Sequence, residues 1–311
     1  MGDSLMKVLF VSSGRRERTG AIVFSQGESL RETGIAVDYV LAGPGLAGYL
    51  SAIARIRKAW KTGDYDLVHA HYSLSAFTAS LAGRFPLVVS LMGSDVFMSG
   101  LIRIVIRVFY RHRWDVTIVK SLQIKDMLGL EKAEVVPNGV DIRLFSPAPR
   151  EDAREHLGFP LSGKLVLFGS SAERREKNAE LARKAVEILN DPEIELRYLS
   201  GIPHKEVPHY LNAADVLLLT SEWEGSPNVV KEAMACNCPV VSTDVGDVRW
   251  LMEETGGCFI TSNDAGDVAA KLRAAMDFNA RTEGRKRIMS LGIDSGSVAE
   301  RIRLIYERVI S

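Results

Sequence analysis

Short apolar runs alternate with helix-forming stretches along almost the whole chain. Strand-like runs fall at Lys7–Val11, Ala36–Val40, Leu67–Ala70, Leu87–Leu91, Val116–Val119 and Glu134–Val136. They resume at Leu165–Phe168, Glu195–Leu199, Val216–Thr220, Val240–Ser242 and Cys258–Ile260. Helical patterns separate most of them, among them Phe24–Glu32, Ala179–Leu189 and Val229–Ala235. A strand buried on both faces reads as a continuous apolar run, and parallel neighbours need a crossover between them. The alternation therefore predicts an α/β chain with parallel sheets. At 311 residues there is room for two domains, each with its own core. The turn-rich segment N-G-V-D-I-R-L-F-S-P-A-P, 138–149, carries two prolines and marks the join. The expectation is two Rossmann-like domains, 1–146 and 147–296, facing each other across a cleft. An amphipathic helix over 297–311 follows and needs a surface, for which the amino-terminal domain is a candidate.

The composition, 46% apolar and 25% charged, is ordinary for a globular protein. A net charge of zero hides an asymmetry. Residues 1–146 hold 18 Lys and Arg against 13 Asp and Glu, and the remainder 21 against 26. Either one half meets an anionic partner, or the halves simply differ by a few charges. No nucleic-acid partner is expected. Cys236, Cys238 and Cys258 are odd in number, and no metal-ligand spacing completes them, which fits a reducing cytoplasm. A strand begins almost at once at Lys7, so no signal peptide is expected, and no apolar run approaches the ~20 residues of a membrane span.

The most informative segment is S-E-W-E-G-S-P-N-V-V-K-E, Ser221 to Glu232, which follows the apolar run Val216–Leu219. Ser226 is a good N-cap and Pro227 suits the first helical position, so a helix should start there. The unit is strand, loop, helix, at the carboxyl end of a strand, where open α/β sheets bind ligands. The free N–H groups of Asn228, Val229 and Val230 suit a phosphate. Glu224 and Glu232 flank that anion site and suit hydroxyl groups on either side, a pattern that fits a sugar nucleotide.

These residues resemble the retaining glycosyltransferases of the GT-B fold, in the family 4 group. The resemblance covers nearly the whole chain. It is carried by E-G-S-P-N-V-V-K-E-A-M-A-C-N-C-P-V-V-S-T-D-V-G, with two glutamates separated by seven residues, and by V-P-N-G-V-D-I-R-L-F, L-N-A-A-D-V and D-L-V-H-A-H-Y. It implies a carboxy-terminal domain that holds a nucleotide diphosphate sugar, most readily UDP-linked, and an amino-terminal domain that holds a glycan or lipid-linked acceptor. By the same resemblance Glu232 holds the ribose, and Glu224 contacts the donor sugar and stabilises positive charge as the glycosidic bond loosens. Ser226, Pro227, Asn228 and Val229 contact phosphates and sugar, and Lys177 meets the diphosphate. The family's arginine position is Ser170 here, and Arg174 or Arg175 is a candidate replacement from a longer loop. Cationic side chains at the diphosphate remove the need for a divalent metal, so no cofactor is expected.

In the first domain, S-S-G-R-R-E-R-T-G follows the first strand, and Gly20, with Gly14, permits close backbone approach to a donor. His69 and His71 alternate on one strand and share a face. A metal would need a third ligand, so packing and acceptor contact are the readings for them. Met92 stands where the family usually has histidine, which touches sugar hydroxyls, and Asp95 is the nearest carboxylate, either an acceptor ligand or a helix cap. Trp250 stands where the family often has glutamate. Leu101 to Trp114 sets Arg103, Arg107 and Arg111 in one stripe beside apolar Ile102, Val105, Ile106 and Phe109, with Tyr110 and Trp114 near one end. That pattern suits either an anionic membrane surface, placing the protein at the inner face of the cell membrane, or an ordinary crossover helix. The resemblance thus implies a cytoplasmic enzyme of cell-surface polysaccharide or glycolipid synthesis. A non-catalytic sugar-nucleotide-binding protein and a GT-B epimerase are the alternatives.

Overall fold

The computed structural model describes residues 5–15, 18–97 and 100–311. The chain forms two compact units, Met1–Gly139 with Ser295–Ser311, and Val140–Asp294.

The first unit runs β1 (Lys7–Arg15), β2 (Arg18–Thr19), α1 (Ala21–Glu32), β3 (Ala36–Ala42), α2 (Gly45–Thr62), β4 (Leu67–His71) and α3 (Ser73–Ala82). It continues with β5 (Leu87–Leu91), α4 (Gly100–His112), β6 (Val116–Val119), α5 (Leu122–Leu128) and β7 (Glu134–Val135). β3 and β4 flank β1 in parallel, and β5, β6 and β7 extend the sheet outward from β4. Val8 pairs with Val37 on one edge and Leu67 on the other, and Val8, Leu9, Phe10 and Val11 are all buried, so β1 is covered on both faces. β2 is a short antiparallel arm on the end of β1, with Gly14 opposite Thr19. It lies inside S-S-G-R-R-E-R-T-G and is too short for periodicity to reveal.

α4 departs from the membrane pattern. Ile106 is buried, and Ile102, Phe109 and Tyr110 pack on the same core as β4 and β5, so the apolar face expected for a membrane is spent on the sheet. The two aromatic anchors are also engaged. The Trp114 Nε1–H donates to Ser80 Oγ at 3.0 Å from a buried position, and the Tyr110 hydroxyl accepts from the Lys132 N–H at 2.7 Å. A second stripe remains outside: Leu101, Ile104 and Val108 are 70%, 57% and 51% exposed, beside exposed Arg107 and Arg111.

The second unit runs α6 (Arg150–Leu157), β8 (Lys164–Phe168), α7 (Ala179–Leu189), β9 (Ile194–Tyr198), α8 (Val207–Ala213), β10 (Val216–Leu219) and α9 (Asn228–Ala235). Then come β11 (Val240–Thr243), α10 (Val248–Met252), β12 (Cys258–Thr261), α11 (Ala265–Asp277) and α12 (Gly284–Ser290). Its five strands are all parallel, in the order β9-β8-β10-β11-β12. α7 and α11 cover one face with Leu181, Ala182, Ala185, Val268 and Leu272. The cysteines are free, and burial pushes the thiols of Cys236 and Cys258 up to about 12.

α13 (Ser295–Ile310) returns to the first unit and packs against α1. It buries Val298, Ala299, Ile302, Ile305 and Tyr306, the spacing of one helical face. Each large apolar side chain so covered contributes about 1.5–3 kcal/mol. Among the described residues no helix is long and apolar enough to cross a membrane.

Candidate active site

In the second sheet β8 and β10 are neighbours, and the chain leaves them in opposite directions, to β9 and to β11. The loops after β8 and β10 therefore part at their carboxyl ends and open a crevice, the usual ligand position of such sheets. Lys177 comes from the first loop, in a single 3-10 turn, Arg175–Lys177, and Glu224 from the second. The Lys177 ammonium donates to Glu224 Oε1, and the two side chains are only 10% and 12% exposed. The Ser221 hydroxyl donates to the same oxygen at 2.7 Å. The loops are joined along their length: Thr220 Oγ1 donates to the carbonyls of Lys177 and Asn178 at 3.0 and 2.9 Å, and the Glu222 N–H to that of Glu176 at 2.9 Å. A third loop closes on them at Gly246, whose φ is +60°. A Cβ there would sit 2.8 Å from the Gly225 carbonyl oxygen, so only glycine fits.

The start of α9 corrects one expectation. The helix begins at Asn228, with Pro227 at the cap position and no side-chain cap. The Ser226 hydroxyl does not turn to the helix. It donates to Asp247 Oδ2 at 2.6 Å and accepts from the Lys231 ammonium at 3.0 Å. The reason is Lys231, which is wholly buried and needs interior acceptors. Burial pushes its pKa down to about 8, against the opposing pull of Asp247 and Glu232. Burial likewise raises the Asp247 carboxyl, offset in part by Lys231, and Asp247 Oδ1 has no hydrogen-bond partner. No cap side chain thus covers the start of α9, and a buried ammonium lies one turn behind it.

Glu232 has a different partner: its Oε1 lies 3.0 Å from His204 Nε2. That bond raises the His204 pKa, against the lowering effect of burial. The two candidate arginines, Arg174 and Arg175, share the Lys177 loop and are exposed. Arg174 turns to Glu176, with Nε–Oε1 2.8 Å and Nη2–Oε1 2.6 Å. Lys231, Asp247 and His204 are neighbours of the site that sequence reasoning missed. Asp247 carried a signal, since D-V-G-D follows β11 at the same end of the sheet as the other two loops.

In the first unit His71, Met92 and Asp95 lie at or just beyond the carboxyl ends of β4 and β5, His69 is in the middle of β4, and Gly20 follows β2. Gly20 is the exposed cap residue of α1, and no atom lies within 4 Å of where its Cβ would be, so packing does not require a glycine there. His69 and His71 are fully buried, with rings stacked 4.2 Å apart. Both His69 nitrogens are engaged, Nδ1 with the Tyr306 hydroxyl at 2.5 Å and Nε2 with that of Ser90 at 2.8 Å. Both His71 nitrogens are buried without a partner. Burial lowers both imidazole pKa values, so the rings are neutral core groups. Asp95 is buried and saturated by backbone: Oδ1 accepts from the Ser73 N–H at 2.7 Å and Oδ2 from that of Met92 at 2.8 Å. This is a capping role at the start of α3. Met92 is half-buried beside it. Between these strands Tyr72 takes a φ of 70°, a strained conformation for a bulky residue at the end of β4.

Two Rossmann-like domains, the second with a lysine–glutamate pair at its switch point, define a protein of the GT-B class. Residues 8–144 match the family model described as Glycosyltransferase Family 4, and residues 154–277 the one described as Glycosyl transferases group 1, so the chain belongs to this family of glycosyltransferases. It is 30% identical over 215 residues to TuaC of Bacillus subtilis, named for teichuronic acid biosynthesis, over 60% of this chain and 55% of that protein. The match therefore spans little more than half of that relative. It is 25% identical over 309 residues to D-inositol 3-phosphate glycosyltransferase 1 of Catenulispora acidiphila, covering 80% of this chain and 74% of that one. Among solved structures, Anabaena HepE in complex with UDP and glucose shares the fold with a TM-score of 0.74 at 18% identity, covering 97% of this chain and all (100%) of that one.

Proposed function

We propose that the protein is a retaining, metal-independent transferase that moves a hexose from a UDP-linked donor to a glycan or lipid-linked acceptor in cell-surface polysaccharide or glycolipid synthesis. The observation that carries the reading is the enclosed Lys177–Glu224 pair beside the uncapped start of α9. As the donor reacts, positive charge grows on the sugar ring and negative charge on the departing diphosphate. Fixed groups of opposite sign in a dry crevice match that separation. Glu224 faces the ring and Lys177 with the α9 N–H groups faces the phosphates. The bond from the anomeric carbon to the diphosphate oxygen breaks, the acceptor oxygen bonds to the same face of that carbon, and the acceptor proton passes to the leaving phosphate. Glu232 holds the ribose, displacing His204 from one carboxylate oxygen. The second unit holds the donor and the first the acceptor, at the cytoplasmic face of the membrane.

The test is turnover of UDP-glucose and related nucleotide sugars in the presence of EDTA, with the anomer of the product read by NMR. Lys177→Ala should lower kcat by about 10²–10³ with a smaller change in KM, because the charge it meets grows in the transition state. Glu232→Ala should weaken free UDP about ten- to a hundredfold in calorimetry. An inverted product, loss of activity in EDTA, or unchanged UDP affinity in folded Glu232→Ala would each remove the corresponding assignment.

A further inference from the structure

α6 and α8 pack side by side in the second unit, and three side chains that the site above does not use converge where they meet. His156 lies in the last turn of α6. Glu206 immediately precedes α8, and His209 is in its first turn. One ring nitrogen of each histidine and one carboxylate oxygen of Glu206 all lie within 4.8 Å of one another. The imidazoles are stacked, with centroids 3.9 Å apart and planes at 24°. The bond between His156 Nε2 and Glu206 Oε2 is long, 3.4 Å, while Glu206 Oε1 faces the Lys205 ammonium at 3.9 Å. Glu206 and His209 are three residues apart and share one side of the helix start, with Pro208 between them in the first turn. Two ligands are thus preset on one element, and the third comes from its neighbour.

We propose that His156, Glu206 and His209 form a site for a zinc-class divalent transition metal. Two imidazoles with one carboxylate suit zinc, nickel, cobalt or copper, whereas magnesium and calcium take sets of oxygen ligands. Around a tetrahedral ion with bonds of about 2.0–2.1 Å, ligand atoms stand roughly 3.3 Å apart. The present arrangement needs to close by about 1.5 Å at most, which rotation of partly exposed side chains supplies as the rings leave their stack. A water molecule completes the fourth position. The ion clamps α6 to α8. It also fixes the turn His204–Glu206.

The experiment is calorimetric titration of the full chain, stripped with EDTA, with zinc chloride and, in parallel, magnesium chloride. One zinc ion per chain should bind with saturation, and magnesium should give no saturable signal. His156→Ala and His209→Ala should each weaken zinc at least tenfold, and His112→Ala, an exposed histidine of the first unit, should leave it unchanged. Because a substitution can disturb folding, a second reading uses Glu206→Gln: zinc should raise the Tm of the wild type and raise it less in this variant. Unsaturable binding, wild-type zinc affinity in either site variant, or weakening by His112→Ala would overturn the proposal.

Discussion

Lys231 has no exposed surface, yet it carries an ammonium group one turn into α9, held by Ser226 and facing Asp247. Removing one member of a buried charge pair strands the other. Lys231→Met should therefore cost about 3–5 kcal/mol in urea unfolding, and Lys231→Met with Asp247→Asn should recover more than half of it. The pH dependence has a definite sign. An unfolded lysine titrates near ~10.4 and this one at about 8, so between those values the unfolded chain holds more protons. The contribution of Lys231 to stability thus rises with pH across that window, and the rise should vanish in Lys231→Met. A flat difference between the two proteins from pH 8 to about 10 would refute it. Apart from the D-V-G-D that places Asp247 after β11, this was not legible in the sequence. Lys231 reads there as one more residue of the motif, and Ser226 as a helix cap. Burial of the lysine depends on β11 and the loop that brings Asp247 near. Glu224 was singled out by its strand–loop–helix unit and Lys177 by the family resemblance, and the structure sets the two side chains together. Arg174 was a candidate by charge, and in the structure it pairs with Glu176, two residues on.

At the scale of elements, alternation of apolar runs and helices was enough to locate nearly every strand, because strands buried on both faces leave an unambiguous signal. What periodicity cannot tell is which face of a helix meets the sheet when both carry apolar residues. α4 illustrates this. Ile102, Ile106 and Phe109 face the core, and Leu101, Ile104 and Val108 do not. The peripheral membrane contact we propose therefore rests on the outer stripe with Arg107 and Arg111. Replacing Leu101, Ile104 and Val108 together by Ser should release the protein from vesicles rich in anionic lipid, with the fold intact, and Arg111→Gln should weaken binding by about 1 kcal/mol. Equal sedimentation of the triple variant and wild type at low salt would exclude this face.

For the whole molecule, the division into Met1–Gly139 with Ser295–Ser311 and Val140–Asp294 makes the second unit one continuous stretch with its own core. Residues 140–294 expressed alone should show the circular dichroism of a folded α/β domain, bind UDP within about tenfold of the full chain, and transfer no sugar. A folded fragment without UDP affinity would remove the donor from this unit. The first unit is interrupted, and its last helix carries Tyr306 to the Nδ1 of His69, a residue 237 positions earlier. A growing polypeptide therefore emerges with the sheet of the first unit made but its α1 face bare and the His69 ring short of a partner. The inserted unit can reach its final form before the enclosing one does. In translation, the half made first is the half finished last.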